Sequence, residues 1–515
     1  MPNYGFLGLG SGSYVHDSLI LTGYFTEKIP QIFDCASFLK FLHANPQWCA
    51  KCKPFGNTQF KIVNHNQTIR TYTIPHPYAY AHLCKTIKDS WTEINTHVKS
   101  NWKGDRKNIL APRKIKTKPH VIFKMSYPTQ LGEDTKIKIE KMLFGNRYLS
   151  EADISSCFPS IYSHSIAWSV FGRAEAYLRR NNKTEWTNTL DAAARAIQSN
   201  ESNGLVIGPH ASNILADIVL SSVDSAMMQK GHLFIRYIDD YKCYASTKEK
   251  AESFIVDLAY ELSQYRLSLN CKKTKITELP VSVSEEWVEQ LKTFRFSKLQ
   301  GKRIFLDAHN SNEIVSYLDF ATRLHKINNN EAVLRYAIRV LLSSGFTQES
   351  FAVFERYVSH LAFIFPYLTD ILVEVYASGY AGCLCVSDSV KQLLENAINK
   401  NLYGSASIII TMLIRMGCCD ALAEDIVNKI LCSDDCILIL CFTIYEHKNK
   451  RSLHDITDIA KALIGQGRVD EFWILLYELY NSGGISKISG YSYSQYFDQL
   501  KQSGVSFLNT DFSLV

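Results

Sequence analysis

A chain of 515 residues is too long for one ordinary hydrophobic core and points to two or three folded units. With 46% hydrophobic and 21% charged residues it has the make-up of a globular protein and not of a disordered one. The net charge of +6, from 56 basic against 50 acidic residues, is compatible with nucleic acid without singling it out.

The start of the chain, Met1 to Gly12, has no basic stretch followed by an apolar one, as a secretory leader requires. No segment reaches the roughly 18 uninterrupted apolar residues of a membrane span. Most of the 14 cysteines, among them Cys383, Cys385, Cys418, Cys419, Cys432, Cys436 and Cys441, sit in apolar, helical-looking sequence, where free Cys behaves as a small buried hydrophobe. The expectation is a reduced, cytoplasmic protein with no membrane partner. Cys49 and Cys52 form one C-x-x-C, without a second pair at zinc-site spacing.

From Lys99 to Lys124 nine Lys or Arg face a single acid, Asp105. Such a run can follow a phosphate backbone or hold a triphosphate, and it can equally be a solvated basic loop. Next comes Tyr148-Leu-Ser-Glu-Ala-Asp-Ile-Ser-Ser-Cys-Phe-Pro-Ser-Ile-Tyr162. An apolar strand delivers Asp153 at its end, and Pro159 then turns the chain. Taken alone, an Asp after a strand is more often a cap or turn former than a catalyst.

Ser202 to Asp217 contains a turn bounded by Gly204, Gly208 and Pro209 that leads into a helix, with Ser212 as the expected cap. Glycine there lets the backbone approach a flat ligand such as a base pair. In Phe234-Ile-Arg-Tyr-Ile-Asp-Asp-Tyr-Lys-Cys-Tyr-Ala245, two aromatic-rich strands flank Asp239-Asp240 and place the acids at a hairpin tip. Adjacent acids without a basic neighbour repel unless they share a cation. Side chains alternate along a strand, so Asp239 and Asp240 are expected to diverge, one gripping metal with Asp153 and the other supporting it.

Two-metal phosphoryl transfer gives such carboxylates a purpose: two divalent cations about 3.5–4 Å apart activate the attacking oxygen and stabilise the leaving pyrophosphate. Mg²⁺ favours carboxylate oxygens and keeps several waters, so two or three Asp suffice, and the Ile154 carbonyl can supply one more ligand. Beyond residue 300 the pattern becomes helical almost without break, as in Val333, Leu334, Ala337, Ile338 and Leu341. Roughly eight to ten helices fit between Asn312 and the C-terminus, arranged either as a HEAT-type α-solenoid or as an irregular bundle. Ser482 to Ser494, rich in Gly, Ser and Tyr, reads as a loop.

The Asp153 segment, Gly204 to Ser212, Tyr237-Ile-Asp-Asp240 and Leu267-Ser-Leu-Asn-Cys-Lys-Lys-Thr274 resemble motifs A, B, C and D of reverse transcriptases, in order and spacing. The resemblance covers roughly residues 70 to 280. It implies that Asp153 and Asp239 hold two Mg²⁺ ions, with Mn²⁺ as the alternative, and that Asp240 supports them. It further implies that Phe158 is the steric gate selecting deoxynucleotides, that Gly208 lies against the nascent base pair, and that Lys273, in a segment ending a strand, stands near the triphosphate. Arg113 and Lys124 are its candidates for triphosphate contacts.

Phe158-Pro-Ser-Ile-Tyr162, Gly208-Pro-His-Ala-Ser212 and Leu267-Ser-Leu-Asn270 are similar to bacterial defence-associated reverse transcriptases, in particular the abortive-infection (Abi) polymerases of the AbiK and P-two prophage type. Val206, His210 and Ala211 depart from the commoner Pro, Asp and Thr. The resemblance implies an α+β fold: fingers and palm over residues 1–300, then an all-α HEAT-like domain over 301–515 in place of a thumb. It also implies template-free DNA synthesis from dNTPs, begun on a protein tyrosine that keeps the single-stranded product attached. A homo-oligomer, acting against phage in the bacterial cytoplasm, completes the expectation. The rivals are an RNA-templated reverse transcriptase and an inactive nucleic-acid-binding scaffold.

Overall fold

The computed structural model describes residues 10–64, 68–102, 139–280, 285–294, 296, 308–343, 345–378 and 387–514. Two helices, α1 (Gly12–Leu21) and α2 (Ala36–Ala44), precede a β-hairpin of β1 (Asn57–Val63) and β2 (Ile69–Pro75). Strict alternation builds β1: Thr58, Phe60 and Ile62 are buried while Gln59 and Lys61 face solvent. Helix α3 (Pro77–Asp89) starts on a proline, whose missing N–H costs nothing at that position. It packs on α1 and on α5 (Trp186–Ala196), and α4 (Trp91–Asn101) lies between it and α5 in sequence.

The central sheet has four antiparallel strands, β3 (Tyr148–Asp153), β4 (Phe234–Tyr237), β5 (Asp240–Ala245) and β6 (Lys275–Glu278), in the order β4-β5-β3-β6. Helix α7 (Lys248–Ser263) packs on β3 and β5. Helix α6 (Ala211–Gln229) packs on α7 and is tied to β4 and β5 by the bonds of Asp224 with Arg236 and Tyr241. Ser150 Oγ donates to the Ala251 carbonyl at 2.9 Å and ties β3 to α7. Helix α6 begins at Ala211 with His210 in the capping position, so Ser212 lies within the first turn and is not the cap. Lys273 and Thr274 do not end a strand either. Pairing before them shrinks to one bridge, Ile154 with Leu269, and their N–H groups then fold back onto the Asn270 carbonyl in a turn ahead of β6.

After α8 (Glu286–Thr293), eleven helices follow among the described residues: α9 (Ser311–Asn328), α10 (Glu331–Leu342), α11 (Gln348–Ile364), α12 (Thr369–Tyr376), α13 (Ser387–Asn399), α14 (Tyr403–Arg415), α15 (Glu424–Leu431), α16 (Cys436–Lys448), α17 (His454–Gly465), α18 (Trp473–Asn481) and α19 (Ser494–Gln502). That exceeds the eight to ten expected, because α12 and α15 are two-turn helices too short to stand out as periodic runs. Sequence neighbours pair as hairpins: α9 with α10, α11 with α12, α13 with α14, α15 with α16, and α17 with α18. One row runs α9–α11–α13–α15 and a second runs α12–α14–α16–α18.

Strand β1 lies on α14, α16 and α18. The first ten residues of α16, Cys436 to Tyr445, are buried on every side, as a helix enclosed by neighbours must be. Gly404 makes the contact with α14 close, since a Cβ there would overlap the Lys61 carbonyl oxygen. The C-terminal segment returns to the start of the chain: Asp34 N donates to Phe507 O at 2.8 Å and Asn509 N to Ile32 O at 2.9 Å. One buried apolar cluster therefore runs from Val15 to Leu514, and the expected boundary at 300/301 lies outside the described residues.

Cys383 and Cys385 also lie outside the described residues. Cys436 and Cys441 are buried, but Cys419 and Cys432 are exposed and Cys418 is half-buried, because all three fall at or beyond helix ends. Among the described residues no helix is long and apolar enough to cross a membrane.

Candidate active site

Register brings the acids together. Asp153, the last residue of β3, is paired directly with Asp240, the first of β5, so their side chains leave the same face. Tyr237 pairs with the same Asp240, which leaves Ile238 and Asp239 as a two-residue turn. Ile238 has φ +58, an uncommon conformation for a β-branched residue. Ile154 N donates to the Asp239 carbonyl at 3.2 Å and fixes the turn against the end of β3. Oxygens of Asp153, Asp239 and Asp240 all lie within 4.8 Å of one another. The expected divergence of Asp239 from Asp240 does not occur, since strand alternation stops at Ile238 and the turn swings Asp239 back over the cluster.

The electrostatics fit a cation site. Burial, followed by the charge of Asp153, raises the Asp239 carboxyl above the usual carboxylate range, with Lys273 and Arg70 opposing. Asp240 reaches solvent, yet lost hydration and the charges of Asp239 and Asp153 push it up to about 7. The three acids present hard oxygen donors and no thiolate or imidazole, the donor set that suits Mg²⁺ or Mn²⁺. Asp153 Oδ2 accepts from Asn270 Nδ2 at 3.1 Å and lies 3.2 Å from Lys273 Nζ.

A cavity of about 1000 Å³ opens from Asp153 and Asp239. Ile154, Phe158 and Lys273 line it, and so does the stretch Gly204–Ile207. Phe158 is anchored by its backbone, its carbonyl accepting from Leu205 N at 2.7 Å. Gly208 is placed differently. It stands outside the lining with φ +128, and a Cβ on it would meet the Thr73 carbonyl oxygen at 3.1 Å. The close approach it permits is to β2, where Thr73 N also bonds the Ile207 carbonyl at 2.7 Å. Arg113 and Lys124 lie outside the described residues.

Sequence reasoning missed three contributors. Arg70 enters from β2, and its only signal was a basic residue in a short alternating strand. Asn270 sits inside the motif-D words but drew no role. Gly467, Arg468, Asp470 and Glu471, between α17 and α18, together with Tyr491, supply a wall from the far end of the chain. Asp470 joins the parts: its carboxylate accepts from Gly56 N at 2.7 Å and from Tyr491 Oη at 2.5 Å.

Residues 93–328 match the family described as reverse transcriptase (RNA-dependent DNA polymerase). Among solved structures, Candida tropicalis apo telomerase truncated from its C-terminal domain is 14% identical, over 48% of this chain and 55% of that one, with a TM-score of 0.30. The fuller apo telomerase from Candida tropicalis is 12% identical over 79% of this chain and 75% of that one, also at 0.30. Telomerase from Candida albicans in complex with a fragment of telomeric RNA is 10% identical over 89% and 67%, again at 0.30. The chain thus spans little more than half of the first of these. No curated protein matches the sequence.

Proposed function

We propose that the chain is a DNA polymerase that joins dNTPs at Asp153, Asp239 and Asp240, a reading supported by the match of residues 93–328 to the reverse transcriptase family, whose chemistry is nucleotidyl transfer. The observation that carries this reading is the convergence of three carboxylates from two distant stretches within 4.8 Å, two of them lining a cavity of about 1000 Å³. These residues would hold two Mg²⁺ or Mn²⁺ ions, with the Ile154 carbonyl as a further ligand. Bound there, the ions supply activation of the attacking oxygen and stabilisation of the leaving pyrophosphate. Lys273, Arg70 and Phe158 line the cavity, where the two basic side chains would meet the triphosphate and the ring would exclude a ribose 2′-hydroxyl. Purified protein carrying Asp239→Ala with Asp240→Ala should be folded and should incorporate no nucleotide. Wild-type rates in that variant would sink the assignment.

The finer reading is template-free synthesis, begun on a tyrosine and retained on it, by a homo-oligomeric Abi-type enzyme of abortive infection. Two observations support it. The helices after Ser311 stack as five consecutive hairpins in two rows, consistent with a HEAT-like array. That array also supplies Gly467, Arg468, Asp470 and Glu471 to the wall of the cavity, and a template-free enzyme needs no room there for a duplex. Among the described residues Tyr491 is the tyrosine that lines this cavity, which makes it the first candidate primer. Protein, Mg²⁺ and dNTPs without nucleic acid should yield DNA that migrates with the protein, and mass spectrometry after nuclease trimming should find a nucleotide on a tyrosine. Synthesis only after an RNA template is added would replace this reading with templated reverse transcription.

A further inference from the structure

Arg236 is buried to 1% exposure one residue before the end of β4, and all three nitrogens of its guanidinium group are hydrogen-bonded. Nε lies 3.0 Å from both oxygens of Asp224 and Nη2 donates to Asp224 Oδ2 at 2.9 Å. Nη1 donates to Asp217 Oδ1 and to the Ile238 carbonyl, each at 2.9 Å. Asp217 and Asp224 stand about two turns apart on one face of α6. Asp224 also accepts from Tyr241 Oη at 3.0 Å and from Trp102 Nε1 at 3.3 Å.

A buried ion pair of this kind could serve the fold alone, holding α6 to the sheet. The bond to Ile238 is what goes beyond that. Ile238 is the left-handed residue of the turn, and its carbonyl leads directly into Asp239. A β-branched residue leaves that conformation unless its surroundings over-determine it. Two bonds flank the turn, Arg236 to the Ile238 carbonyl and Ile154 N to the Asp239 carbonyl, and the first originates outside the acidic cluster.

We propose that Arg236 is a positioning residue: clamped by Asp217 and Asp224, it holds the Ile238 carbonyl and thereby sets where the Asp239 carboxylate stands relative to Asp153. This rests on the polymerase reading for its functional meaning, though its geometry stands apart from it. Lysine keeps the charge but not the planar fork that reaches two carboxylates and a carbonyl together.

The test is Arg236→Lys, with folding checked by circular dichroism and thermal melting. Mn²⁺ affinity, read by electron paramagnetic resonance without turnover, should fall on the order of tenfold, as for other groups that orient metal ligands. The kcat for dNTP incorporation should fall by a similar factor while KM stays within about twofold, since no substrate contact is lost. Ile238→Gly, which adopts φ +58 without strain, should restore most of the Mn²⁺ affinity when combined with Arg236→Lys. Folded Arg236→Lys with wild-type Mn²⁺ affinity and kcat would overturn the proposal, and so would a double variant no better than Arg236→Lys alone. Should Arg236→Lys not fold, Asp217→Asn loosens one arm of the clamp. It should weaken Mn²⁺ binding, though by less than Arg236→Lys does, and unchanged binding there would overturn the proposal too. Wild-type protein that binds Mn²⁺ but incorporates no dNTP would sink the polymerase reading instead, leaving the Mn²⁺ comparison as the test of Arg236.

Discussion

The Lys273 ammonium lies 3.2 Å from Asp153 Oδ2, the carboxylate oxygen that also accepts from Asn270. With 63% of the lysine side chain exposed, the pair contributes at most about 1 kcal/mol to stability. A cation bound by Asp153 has to compete with this ammonium, which would then be freed toward the triphosphate. Lys273→Met should therefore bind Mn²⁺ more tightly in the absence of nucleotide. Incorporation should nevertheless slow on the order of 10²-fold, through loss of a charged proton donor. Calorimetric titration and single-turnover kinetics check the two halves, and weaker metal binding in the variant would contradict the competition.

Gly404 sits in the first turn of α14, where alanine would ordinarily strengthen a helix. Here a Cβ would overlap the Lys61 carbonyl oxygen of β1, and backbone cannot step aside cheaply. Gly404→Ala should destabilise the protein by about 1–3 kcal/mol in urea unfolding. Gly465→Ala is the control: it is also helical, and a Cβ there meets nothing within 4 Å. It should be neutral or stabilising by up to about 1 kcal/mol. Equal effects at both positions would mean that the β1–α14 contact is looser than described.

Much of the site could be read from the chain because its pieces are local. Alternation and a two-residue turn place Asp239 at a hairpin tip whatever the rest does, and Asp153 ends a strand that pairs with it. The positive φ of Ile238 could not be read, because nothing in isoleucine favours it, and so the convergence of Asp239 with Asp240 was missed. Gly208 showed that a close approach was needed but not that its neighbour would be the Thr73 backbone. Contacts between residues hundreds apart, such as Gly56 with Asp470, leave no periodic trace at all.

Phe158 offers a substrate test that the backbone should survive. Its carbonyl is held by Leu205 N at 2.7 Å, and its half-buried ring lines the cavity. Phe158→Ala should therefore leave the motif in place while opening space beside the sugar. Discrimination between dNTP and the matching rNTP, measured as a ratio of kcat/KM, should fall by roughly one to two orders of magnitude, the scale of a single steric contact. An unchanged ratio would remove Phe158 as the gate.

Glu478 ties acid–base state to the closure of the chain. It is 1% exposed on α18, and burial pushes its carboxyl from 4.5 up to about 7. Its oxygens accept from Phe507 N at 2.7 Å and Ser506 Oγ at 3.0 Å, which fastens the C-terminal segment that also bonds Ile32 and Asp34 near the N-terminus. Because the folded pKa is raised, the native state keeps a proton that the unfolded chain releases. Its contribution is therefore full below about pH 4.5 and is lost as pH rises toward about 7. Over that window the loss amounts to at most about 3 kcal/mol. Glu478→Gln keeps an acceptor for Phe507 N and cannot ionise, so its stability relative to wild type should improve between about pH 5 and pH 7 and level off above that. Urea unfolding at several pH values measures this. Parallel curves for the two proteins would mean that Glu478 ionises freely in the fold and that the terminal strap is indifferent to its charge.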